Sequence, residues 1–185
     1  MKRISKRKST TENTVYFIFR ERSILQSLRH QGVVMLRYAF QDNDSLYMIY
    51  DHSPINFRSI MTKDCMKDPI TRMYAAEIAL ALDYLHQNFI THRDLTPENI
   101  LIDSSGHVLV SNFSFAISIK QTTPKHAIGS PTYMAPEMSS KKPYRYAVDW
   151  WSFGIILFEC TYGQVLMLLS DSYRPHCLKK IHLYS

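Results

Sequence analysis

A polar loop set between two apolar units constrains this chain more than any other feature: His92-Arg93-Asp94-Leu95-Thr96-Pro97-Glu98-Asn99. Before it, residues 68–88 have helical spacing, with Ile78, Leu82 and Leu85 on one stripe, Asp68 able to cap and Pro69 suited to the first turn. After it, Ile100-Leu101-Ile102 and Val108-Leu109-Val110 read as short strands around the turn Asp103-Ser104-Ser105-Gly106. A second polar word, Asn112-Phe113-Ser114, follows those strands. Taken singly, an aspartate in a turn is a cap and an asparagine a turn former. Their joint spacing points to more than that.

Elsewhere the pattern is coarser. Residues 15–30 show helical spacing through Phe17, Ile18, Ile24, Leu25 and Leu28. Residues 33–40 and 46–50 read as strands of a hairpin turning at 41–45, and residues 52–58 as a hinge into a short helix. A polar loop over 118–132 precedes a helix over 146–162. The nearly apolar run 150–169 is long enough to span a membrane. It contains Glu159, a carboxylate that would be costly in lipid, so a buried core helix is expected and no transmembrane segment.

The net charge of +6 is concentrated in Lys2, Arg3, Lys6, Arg7 and Lys8. Such a block reads as a solvated, disordered arm over residues 1–15, or else as a nuclear-localisation or phosphate-binding element. No apolar segment follows it, so a secretory signal is not expected. Three cysteines without paired spacing suit a reducing, intracellular setting, cytoplasmic or nuclear. No specific nucleic-acid site is evident.

Four words in fixed order carry a resemblance: His92-Arg93-Asp94 with Asn99, Gly129-Ser130-Pro131-Thr132-Tyr133, Ala135-Pro136-Glu137, and Asp149-Trp150-Trp151-Ser152-Phe153-Gly154. Over about residues 16–163 the chain resembles the protein kinases, in the serine/threonine branch and most like the AGC group. The resemblance implies an α+β, bilobal fold, here incomplete: a small lobe lacking its first strands and a large lobe lacking its last helices, followed by a divergent tail over 164–185. It also implies ATP and magnesium as cofactors and a protein or peptide partner, basic sequences included. Asp94 would accept the substrate hydroxyl's proton, Arg93 would bind an activation-loop phosphate, and Asn99 would hold magnesium. Glu21, Tyr50, Asp51 and Leu101 would line the nucleotide pocket, with Tyr50 as its gatekeeper. Leu25, Leu36, Phe113 and His92 would form the column joining the lobes, anchored on Asp149. Leu101, Ile156 and Cys160 would lie beneath adenine, and Glu98 and Glu159 would face arginines of a peptide.

Against that pattern, Asn112 stands where the family has a magnesium-chelating aspartate, and Ser114 where it has glycine. Thr96 replaces a lysine that contacts the transferring phosphate, and His126 replaces the usual phosphoacceptor threonine, for which Thr122 and Thr123 are nearby substitutes. Glu21 stands where it would pair with the family's nucleotide-binding lysine, and nothing in residues 1–15 is expected to provide that lysine. Glu137 is expected to lack its arginine. The resulting expectation is a kinase-like domain that is inactive or strongly impaired, a pseudokinase or binding module. The alternative is a truncated isoform or partial product of a kinase that phosphorylates basic peptides.

Overall fold

The computed structural model describes residues 1–7, 12–51, 53–61, 66, 68–120 and 122–163. Its first unit is an antiparallel sheet of β1 (Lys2–Ser5), β2 (Leu36–Gln41) and β3 (Ser45–Tyr50) in the order β1-β3-β2, packed against α1 (Glu12–Ser27). Helix α1 presents Ile24 and Leu25 to the core, and Leu28 just beyond its end is buried with them. The hairpin β2–β3 turns on Asp42, whose Oδ1 accepts the backbone N–H groups of Asp44 (2.8 Å) and Ser45 (2.6 Å).

Strand β1 corrects the expectation of a disordered arm. Lys2 pairs with Met48 and Ile4 with Leu46 across the ladder, and Ile4 packs onto the core. The basic block is not left to repel itself. Lys2 meets Glu21, Lys6 donates to the Asp42 carbonyl (2.6 Å), and Arg7 lies 3.6 Å from Asp44. The positive strand therefore adds beside acidic groups. The sheet gains a third strand in place of a two-stranded ribbon, which would be marginal alone.

The second unit is mostly helical. It contains β4 (Ile55–Asn56), α2 (Phe57–Ile60), α3 (Asp68–Gln87), β5 (Ile90–Thr91), β6 (Ile100–Ile102), β7 (Val108–Val110), β8 (Ile117–Ser118) and α4 (Ala147–Tyr162). Strands β4-β6-β7 form one sheet and β5-β8 a second. Ile78, Ala81, Leu82 and Leu85 of α3 pack with Leu95, Ile100, Val110, Phe113 and Ile156 in one core. Each such side chain contributes roughly 1.5–3 kcal/mol when fully buried. Between the units, the Val34 N–H donates to the Val110 carbonyl (2.9 Å) and the Val110 N–H to that of Gly32 (2.8 Å).

The described part of the apolar run expected as a core helix lies in α4, which buries Val148, Ile155, Ile156 and Cys160 and ends on Gly163 at φ 65°; residues 164–169 of that run lie outside the described residues. Among the described residues no helix is long and apolar enough to cross a membrane. The α+β, bilobal arrangement expected from the sequence is the one observed. The tail 164–185 lies outside the described residues.

Candidate active site

The polar loop is held from below by a buried carboxylate. Asp149, in the first turn of α4 and fully buried, accepts the backbone N–H groups of His92 (2.9 Å) and Arg93 (2.8 Å) and also contacts His86 Nε2 (2.9 Å). Two strong, charge-assisted hydrogen bonds thus fix the turn before Asp94. That turn is tight: Arg93 adopts φ 68°, and Gly129 lies so close that an added Cβ would sit 2.4 Å from the Arg93 carbonyl. Only glycine fits there, which also suits its φ of 106°. On the opposite side the His92 ring meets Phe113 edge-on at 5.1 Å. Leu25, Leu36, His92 and Phe113 are all buried.

Asp94 emerges from this cradle with each oxygen engaged. Oδ1 accepts the Ser130 N–H and hydroxyl (both 2.9 Å), and Oδ2 accepts the Asn99 amide (3.0 Å). The side chain is therefore held in one orientation, and a general base must first of all be positioned in this way. Thr96 is buried and brings no charge. Arg93 turns its guanidinium to the Phe115 carbonyl (2.7 Å) and the Tyr144 hydroxyl (3.4 Å). Nearby Arg20 stacks over Phe17 (4.7 Å), with its Nε and Nη2 unpartnered among the described residues. Burial, then Arg93, lowers its pKa.

The missing lysine is present. Lys2 Nζ lies 2.7 Å from Glu21 Oε2, so the expectation that nothing in residues 1–15 could pair with Glu21 is corrected. Glu21 is almost fully buried, and a buried carboxylate needs such a cation. The basic run concealed this lysine, because like-charge blocks at a chain end usually read as solvated. The available signal was the alternation Lys2-Arg3-Ile4, which places Ile4 toward the core.

Lys2, Glu21, Leu25, Val34, Tyr50, Asp51, Leu101 and Asn112 line a cavity of about 410 Å³ between the two units. Leu101 and Val34 give it apolar walls. The Tyr50 hydroxyl reaches Glu21 (3.4 Å), and burial followed by that carboxylate raises its pKa well above the usual phenol. Asp51 lines the cavity, but its carboxylate is engaged by Arg37, with Nη2 at 3.1 Å. Ile156 and Cys160 lie in the core, where burial and then Glu159 push the Cys160 thiol up to about 11.

Asn99 and Asn112, the two expected metal ligands, come together but not as free oxygens. Asn112 Nδ2 donates to Asn99 Oδ1 (3.0 Å), and the Ser114 hydroxyl donates to Asn112 Oδ1 (2.9 Å). Magnesium favours charged oxygens in strict octahedral geometry. Here both candidate ligands are neutral and already bonded. Among the described residues no group of three or more histidine, cysteine, aspartate or glutamate side chains could hold a metal ion. This donor set does not fit magnesium.

Sequence reasoning also missed Arg58. From α2 its guanidinium contacts Glu98 (2.7 Å), Glu159 and the Tyr133 hydroxyl at once. Burial would lower its pKa, but Glu159 and Glu98 outweigh that and raise it. The carboxylates expected to face a basic peptide are thus filled from within the chain. No local signal reveals this, since Glu159 lies 101 residues from Arg58. Glu137 is half-buried and forms no ion pair among the described residues.

Comparison with known proteins agrees with this geometry. A family model described as the protein kinase domain matches residues 1–181. The catalytic subunit of cAMP-dependent protein kinase from Schizosaccharomyces pombe is 41% identical over 145 residues, 77% of this chain and 28% of that protein. The cAMP-dependent protein kinase type 3 of Saccharomyces cerevisiae is 39% identical over 158 residues, 84% of this chain and 39% of the relative. Human serine/threonine-protein kinase Sgk1 is 42% identical over 154 residues, 79% of this chain and 35% of Sgk1. The matched stretch is about a third of each relative's length.

Proposed function

The chain belongs to the protein kinase family, serine/threonine type and AGC-like, and from that premise we propose that it works as a pseudokinase: a binding module that keeps a nucleotide cleft and transfers phosphate slowly or not at all. One observation carries this reading. The Lys2–Glu21 pair and the Asp94 cradle are intact, while Asn112 and Thr96 are neutral where transfer needs charge. Losing one preorganised charge-stabilising group slows such steps on the order of 10²–10³-fold. Exposed Tyr16, Phe19, Tyr38 and Phe40 on α1 and β2 supply an aromatic surface for a protein partner. Arg93, with Arg20 beside it, is proposed to receive a phosphate on the segment carrying Thr122 and Thr123.

A second reading is a portion of an active kinase that phosphorylates basic peptides, and the Lys2–Glu21 pair favours it. Its peptide preference is weakened by Arg58, which a basic substrate would have to displace. A radiometric assay on basic and mixed protein substrates separates the two. The pseudokinase reading expects incorporation at the level of Asp94→Asn, or on the order of 10²–10³-fold below that of an active serine/threonine kinase assayed alongside. Turnover comparable to that kinase and abolished by Asp94→Asn would establish the second reading.

A further inference from the structure

The two asparagines and Ser114 form a directed row of hydrogen bonds. Asp94 Oδ2 can only accept, so Asn99 must turn its Nδ2 toward it, at 3.0 Å. This leaves Asn99 Oδ1 facing Asn112, which must donate with its Nδ2. Asn112 Oδ1 then faces Ser114, whose single proton serves it (2.9 Å) in competition with Glu21 (3.1 Å). The lone pairs of Ser114 Oγ accept from Lys2 Nζ (2.9 Å). With the Ser114 proton given to Asn112, the row runs from an ammonium to a carboxylate. The two substitutions are matched within it. An aspartate at 112 could not donate to Asn99, and a glycine at 114 could not link Lys2 to residue 112.

We propose that this row takes the place of a divalent cation, so that the cleft binds a nucleoside triphosphate without one. The proposal rests on reading the cavity as a nucleotide site. The physical reason is charge. A carboxylate at 112 beside a triphosphate would repel it and demand a bridging cation. An amide there removes the repulsion, and its second N–H is free to donate to a phosphate oxygen. Lys2 still supplies a positive charge at this end of the cavity. Asn112 sits at φ 61°, a left-handed conformation that asparagine tolerates well, so the amide is held without a strained backbone.

The test is isothermal titration of ATP into the purified chain, once with EDTA and once with excess magnesium chloride. The expected dissociation constants agree within about threefold, and Asn112→Asp makes binding at least about tenfold tighter with magnesium than with EDTA. Ser114→Ala is a second variant, expected to weaken binding equally in both buffers. Wild-type binding that requires magnesium by tenfold or more would overturn the proposal and leave the nucleotide cleft standing. No binding in either buffer would overturn both.

Discussion

The loop beneath Asp94 and the row from Lys2 to Asn99 form two sides of one cleft, and they are built by opposite means. The loop is held by buried groups that admit no alternative: Asp149 under two backbone N–H groups, Gly129 against a carbonyl, and Phe113 against His92. The row is held by three neutral side chains strung between Lys2 and Asp94, each oriented by the next. The first side keeps what a kinase needs to place a base. The second has exchanged cation handling for direct hydrogen bonding. Scaffold and chemistry can thus diverge within one site when different residues carry them.

Breaking the loop side has the largest expected effect. Asp149→Ala leaves the His92 and Arg93 N–H groups buried without an acceptor, and should cost about 3–5 kcal/mol in urea unfolding. For a chain of this size the melting temperature should fall by roughly 10 °C. A loss under about 1 kcal/mol would mean that the loop does not depend on its carboxylate. Gly129→Ala comes next. Its Cβ must displace the Arg93 carbonyl at an unfavourable φ, and the thermal melt should fall by several degrees.

Arg58→Ala sharpens the comparison away from the cleft. It leaves buried Glu159 with Tyr133 as its one side-chain partner among the described residues, at a cost of about 2 kcal/mol, while freeing both carboxylates to take a basic peptide. Peptide binding by fluorescence anisotropy should increase in the variant, and unchanged binding would show that the carboxylates do not face a peptide.

The smallest effect is on pH dependence. Burial would raise the Glu98 pKa, but Arg58 more than offsets this and holds it below the usual glutamate value. A depressed folded-state pKa stabilises above the unfolded value and loses that contribution as the pH falls through the folded one. Melting curves of Glu98→Gln and wild type should therefore differ modestly near neutrality and converge in acid. Salt should shrink the gap, because Glu98 is half exposed.

Much of the fold was legible in the sequence because its elements announce themselves locally. The stripe through Ile78, Leu82 and Leu85 marks α3, and two short continuous apolar runs mark β6 and β7 at their observed ends. Asp94, Asn99 and Asn112 were legible as neighbours through the resemblance their motifs carry, and one short loop and one hairpin connect them in the fold. Lys2 was not, because its meaning lies in β1 pairing with a strand more than forty residues on. Arg58 was hidden for the same reason, and so was the role of Ser114. Its substitution reads as a lost glycine until Lys2 and Asn112 are placed on either side of it.

The most direct measurement of that row is a double-mutant cycle on unfolding, with Asn112→Gly, which keeps the left-handed backbone, and Ser114→Ala. If Ser114 serves Asn112 as described, the two losses should fall short of additive by about 0.5–1.5 kcal/mol. Additive losses would contradict the row and, with it, the account of how this cleft manages without its aspartate.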